Sequence, residues 1–370
     1  MANPLNKVEK LGQAIWLDYI KRDLIMSGDL KKLIDDDSLR GMTSNPAIFE
    51  KSFAESSDYE KDIKALAAKG NDLDAIYTEL SERDVRDASD VFRTVYDKTD
   101  GKDGFVSLEV NPHLAHDTAG TLAEARRLWK ELDRPNVLIK VPATKEGLPV
   151  IRQLISEGVN VNVTLLFGVP RYREVAEAYI SGLEARAAKG EPVDHIASVA
   201  SFFLSRIDVM VDPMLEKEMN GGKNEALAKQ MHGQVAIASA KAAYQAFDEM
   251  FNGDRFKKLV DKGARVQRLL WASTGTKNPD YSDVKYVDSL IGEETVNTVP
   301  VATFDAYRDH GDPKVRLTED PDGDVDGFHR LADVGVNIDD VTQKLEDEGV
   351  DKFNKAFDQL FATLKKTAGE

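Results

Sequence analysis

The sequence predicts a (β/α)8 barrel, and three observations carry that expectation. Short β-type runs alternate with long helical patterns, eight such runs can be counted, and no linker convincingly divides the 370 residues. Alternating β and α elements favour a parallel sheet, and eight parallel strands suggest closure. One domain is therefore expected over residues 1–370: a single TIM barrel with extra helices.

AIWLDYI (14–20) sets Asp18 among Ile15, Trp16, Leu17 and Ile20. GMTSN (41–45) gives Thr43 and Asn45 the same parity, and side chains of equal parity share a face of a strand. GFVSLEV (104–110) flanks Glu109 with Leu108 and Val110. NVLIKV (136–141) surrounds Lys140 with four aliphatic side chains. VNVTLLF (161–167) puts Asn162 and Thr164 on one face, with Val161, Val163 and Leu165 on the other. IASVASFF (196–203), RLLWAS (268–273) and NTVPVAT (297–303) complete the set. The strands thus tend to deliver polar groups near their carboxyl ends, the barrel face where active sites sit.

Between the strands lie amphipathic segments such as LAEARRLWKEL (122–132) and RYREVAEAYISGLEARAAKG (171–190). Asn-Pro recurs beside three strands, at Asn45-Pro46, Asn111-Pro112 and Asn278-Pro279. The expected structural role is an Asn cap with Pro at the first helical position. MNGGKNE (219–225) reads as a surface loop, and 309–327 as a longer acidic loop before a last helical region, 341–366.

The formal net charge is −16. An acidic mean field repels phosphate backbones and anionic lipid, so general nucleic-acid or membrane-surface binding is not expected. A small anionic substrate would need a local basic site. With no cysteine, disulfides, thiolate nucleophiles and cysteine-ligated zinc are excluded, and a reducing compartment is allowed. The N-terminal stretch lacks the apolar core of a signal peptide, and no window approaches the roughly eighteen apolar residues of a membrane helix. A cytoplasmic protein is expected.

Lys140 raises the sharpest question, because burying an unpaired ammonium is costly. It is either a lysine snorkelling its head to water past an apolar stem or a Schiff-base nucleophile. In the second case, desolvation can bring a lysine from about 10.4 to roughly 7–8 and expose the lone pair. Arginine cannot serve, since it does not deprotonate. Asp18 and Glu109 are either caps or ion-pair partners, or they divide the proton transfers that amine addition to a ketone requires. His113 and His116 suggest a helix rather than a metal site. DGDVDGFHRLAD (322–333) has the spacing of a calcium loop but ends on Asp333, lacks an entering helix, and reads as an acidic turn.

GMTSNPAIF, SLEVNP, IKVPAT, NVTLLF, SFFLSRID and WASTGTKN, in this order, resemble the transaldolases of the pentose phosphate pathway, in their longer bacterial form. The resemblance spans essentially the whole chain. It implies that Lys140 is the Schiff-base lysine and that Asp18 takes and returns the proton of the substrate's C4 hydroxyl. Glu109 and Thr164 would hold a catalytic water, Asn45 and Asn162 would bind the dihydroxyacetone hydroxyls, and Ser201 would be a further hydroxyl ligand. Arg206 would be the main phosphate ligand, unless it forms a salt bridge such as with Asp208. Lys277 stands where the family commonly has a second arginine. Phe203 matches the transferases, where the aldolase branch tends to carry tyrosine. The implied reaction moves a dihydroxyacetone unit between sugar phosphates, with no metal or organic cofactor. The rivals are a fructose-6-phosphate aldolase-like enzyme, a catalytically inactive sugar-phosphate-binding barrel, and a calcium-binding protein.

Overall fold

The computed structural model describes residues 3–55, 58–320 and 323–369. Eight strands form a closed barrel in sequence order: Gln13–Asp18 (β1), Leu39–Thr43 (β2), Phe105–Glu109 (β3), Val137–Pro142 (β4), Val161–Leu166 (β5), Ser198–Phe203 (β6), Arg268–Ala272 (β7) and Thr295–Val299 (β8). All neighbouring pairs are parallel, and β1 pairs with β8 to close the ring. β3 to β7 are buried along their whole length. Helices therefore cover the outside, and the strands read as near-continuous apolar runs.

The expected strand over 297–303 is displaced. β8 ends at Val299, Pro300 follows, and Val301–His310 is a helix. The proline ring fixes φ and withholds an amide hydrogen, so the ladder stops there although β-type residues continue. The acidic loop also ends earlier than expected, because Asp324–His329 is helical. Asp324 and Asp326 lie in its first turn, where carboxylates favour a helix by facing the positive end of its dipole. The stretch is thus not an acidic turn from 324 onward, and Asp322 lies outside the described residues.

The Asn-Pro pairs divide. Asn45 accepts from the Ile48 amide at 3.0 Å and opens the helix Pro46–Glu55; Asn111 accepts from the His113 amide and opens a short 3-10 helix. Asn278 accepts from the Asp280 amide at 3.0 Å, but the chain makes only a turn.

Inside the barrel, Trp16 is fully buried against β2, opposite Gly41 in register. A Cβ on Gly41 would lie 2.5 Å from the Trp16 ring. Gly41→Ala is therefore expected to cost about 1–3 kcal/mol by overpacking, read as a lower denaturation midpoint with unchanged slope.

The C-terminal helix Ile338–Ala368 crosses the carboxyl face of the barrel. It packs on the helix Pro46–Glu55, on β5 and on the turn after β3. Among the described residues no helix is long and apolar enough to cross a membrane.

Candidate active site

The polar ends of the strands converge at the carboxyl mouth. Glu109, Lys140 and Asn162 are register neighbours across β3, β4 and β5. Lys140 is 4% exposed, so its head does not snorkel to bulk water. Its Nζ donates to the Ser44 carbonyl at 3.2 Å and lies 3.6 Å from Glu109 Oε2. Burial pushes the Glu109 carboxyl up to about 7, against the opposing pull of Lys140. Neither Glu109 oxygen has a hydrogen-bond partner, and neither does the buried Thr164 hydroxyl. Buried polar atoms are ordinarily satisfied, so these three have hydrogen-bonding capacity left for a water or a ligand.

Protonation of Glu109 is linked to folding. The folded protein holds this proton more tightly than an unfolded glutamate near 4.5, so stability falls as pH rises from about 4.5 to about 7. Over that window the wild type is expected to lose about 3 kcal/mol relative to Glu109→Gln in denaturation curves. A pH-independent difference would contradict the burial argument.

Asp18, at the end of β1, keeps some solvent contact, yet the surrounding protein raises its carboxyl above the ordinary range. Lys140, Thr43 and Lys277 pull the other way. The Thr43 hydroxyl donates to Asp18 Oδ1 at 2.7 Å and sits 2.7 Å from the Thr298 hydroxyl. Since Thr43 has one hydrogen, Thr298 must be the donor to it. The relay orients one carboxylate oxygen and leaves the other for a ligand.

Asn162 is fully buried and fixed on both sides. Its Nδ2 donates to Ser107 Oγ at 3.0 Å, and its Oδ1 accepts from Ser201 at 2.7 Å. One amide hydrogen of Asn162 remains for a ligand, while Ser201 has only acceptor capacity left. A bulge follows: the β5–β6 register shifts between Val163 and Leu166, and Leu165 adopts a left-handed φ of 55°. That conformation is unfavourable for leucine, and such strain clusters beside functional sites.

Arg206 opens the helix Ser205–Met219 and makes no ion pair among the described residues. Asp208 instead takes Lys285 at 2.9 Å and the Tyr286 hydroxyl at 2.7 Å, which removes the salt bridge weighed for Arg206. The half-buried guanidinium lies 5.8 Å from the Phe203 ring, and its Nη1 is buried without a partner. Burial lowers its pKa. A desolvated, unpaired arginine is a ready site for an anion. Lys277 is exposed on the loop after β7, near enough to act electrostatically on Asp18.

A cavity of about 960 Å³ opens at the opposite, amino end of the barrel, beside Lys102, Arg268 and Glu294. Its ion pairs are internal, Lys102 with Glu294 at 2.7 Å and Arg268 with Asp103 at 2.8 Å. His113 pairs with Asp358 and His116 with Glu146.

Sequence reasoning missed Thr43 as the brace of Asp18, Ser107 as the brace of Asn162, and Phe353 of the C-terminal helix, whose ring centroid is 6.0 Å from Lys140 Nζ. The parity of Ser107 with Glu109 was a usable signal. For Phe353 there was none.

A buried amine with one carboxyl 3.6 Å away, a second close enough to feel its charge, and an unpaired guanidinium on the same barrel face can add to a carbonyl and hold the resulting carbanion. This is barrel-enzyme chemistry of the amine-catalysed kind. The Transaldolase/Fructose-6-phosphate aldolase family model matches residues 15–364, and the chain belongs to that family. It is 48% identical to a transaldolase of Trichodesmium erythraeum, covering 99% of this chain and 98% of the relative. It is 47% identical to one of Saccharopolyspora erythraea (98% and 97% covered) and 46% identical to one of Mycolicibacterium smegmatis (100% and 98% covered). These relatives are named transaldolases, which are transferases, and the chain is an enzyme of that kind.

Proposed function

We propose that the chain, acting as one catalytic domain, transfers a dihydroxyacetone unit from sedoheptulose 7-phosphate to glyceraldehyde 3-phosphate, giving erythrose 4-phosphate and fructose 6-phosphate. The observation that carries the residue assignments is the buried Lys140 amine ion-paired at 3.6 Å with Glu109, whose carboxylate oxygens, like the Thr164 hydroxyl on β5, have no hydrogen-bond partner.

In this reading the Lys140 amine attacks the donor ketone. Glu109, with a pKa near 7, can give a proton to the departing carbinolamine hydroxyl and take one back, and Thr164 helps hold the water involved. Loss of water leaves an iminium. Asp18 then removes the C4 hydroxyl proton, the C3–C4 bond breaks, and the electron pair enters the iminium to give an enamine. The aldehyde product departs, and a second aldehyde reverses the sequence. Asn45 and the free hydrogen of Asn162 meet the dihydroxyacetone hydroxyls, with Ser201 alongside as an acceptor. Arg206 and Lys277 hold the phosphate, and Phe203 walls the site next to Arg206. Partners are thus sugar phosphates, and the location is cytoplasmic, a compartment that the cysteine-free sequence allows.

Product analysis with both substrates tests the proposal. Erythrose 4-phosphate and fructose 6-phosphate in equal amounts support it; free dihydroxyacetone as the main three-carbon product contradicts it. Arg206→Ala is expected to raise KM for the phosphorylated substrates about 10- to 100-fold, with a smaller effect on kcat. That is the loss of charge-assisted hydrogen bonds of about 1.5–3 kcal/mol.

A further inference from the structure

The C-terminal helix is held at both ends over the barrel mouth. Toward its start, Glu346 pairs with Arg171 at 3.3 Å. One turn on, Gly349 lets the backbone approach β5, since a Cβ there would lie 3.0 Å from Leu165. Beyond the site, Phe357 packs edge-on against Tyr77 at 5.4 Å, and Asp358 meets His113 at 2.8 Å. Phe353 lies between these anchors. It is 5% exposed, and it presents its ring to the Lys140 nitrogen.

We propose that Phe353 keeps water away from the enamine on Lys140 and so commits the three-carbon unit to a second aldehyde instead of release. This rests on the reading of Lys140 as the Schiff-base nucleophile. The suppressed side reaction is balanced by water alone. A proton adds to the enamine carbon, water adds to the resulting iminium carbon, and the carbon–nitrogen bond breaks. Dihydroxyacetone leaves, and Lys140 returns as the amine. Every step needs solvent or a solvent-derived proton at a carbon beside Lys140. An apolar ring fixed there by a clamped helix bars bulk solvent and its protons from the enamine carbon, as closed active sites do with reactive intermediates, while the one water held by Glu109 and Thr164 still serves the carbon–nitrogen bond.

The test uses the full chain and its Phe353→Leu, Phe353→Val and Phe353→Ala variants. The readout is free dihydroxyacetone formed from fructose 6-phosphate without acceptor, divided by transfer to erythrose 4-phosphate. Borohydride trapping on Lys140 is scored in parallel. The ratio is expected to stay near wild type for leucine, rise for valine and rise roughly tenfold for alanine, with trapping retained. If the alanine variant does not fold, the leucine–valine comparison decides. A flat ratio with trapping retained overturns the role of Phe353 and leaves Lys140 untouched. Failure of the wild type to trap at Lys140 overturns the reading beneath it.

Discussion

Lys140→Arg is expected to lower turnover by at least about 10⁴-fold, the scale of losing a covalent nucleophile. Arginine keeps the positive charge beside Glu109 and can still donate to the Ser44 carbonyl, so the fold has no reason to fail. It cannot supply a lone pair, because the guanidinium does not deprotonate. The measurement is steady-state transfer, paired with a thermal melt to show that the variant is folded. Residual activity within about tenfold of wild type would mean that the amine acts only as a charge.

The second large effect belongs to Asp18→Asn. The amide has nearly the same shape and can still accept from Thr43, so the relay from Thr298 persists. It cannot take the C4 hydroxyl proton. Transfer is expected to fall about 10²- to 10⁴-fold, the usual worth of a positioned base. Imine formation precedes that step, so borohydride should still label the variant in the presence of fructose 6-phosphate. Loss of both transfer and labelling would move Asp18 from carbon–carbon cleavage to imine formation. The raised Asp18 carboxyl fits a base, since burial makes it hold a proton more readily once taken.

Much of this was legible along single strands. An apolar run interrupted by one lysine marks a buried amine, and the polar residues near strand ends fall where a barrel gathers its chemistry. Both signals are local, with period two and short range. What escaped depends on residues that meet only in the closed barrel. Gly41 looks like an ordinary turn-side glycine until Trp16 fills the space its side chain would need. Thr43 shows its role only when β1 and β2 are in register. Phe353 sits in an amphipathic helix whose apolar stripe announces burial but not the neighbour it buries. The misread segments have local causes too. Val301 onward keeps a β-type composition, but Pro300 ends the ladder, and the acids at 324 and 326 are good for the first turn of a helix as well as for a loop.

The central claim is that the Lys140 nitrogen forms the covalent link to the sugar ketone. Borohydride reduction in the presence of fructose 6-phosphate, followed by peptide mass mapping, tests it most directly. The account predicts a reduced three-carbon or sugar adduct on Lys140 in the wild type and none at that position in Lys140→Arg. An adduct on a different lysine, or an unlabelled protein that still catalyses transfer, would contradict it.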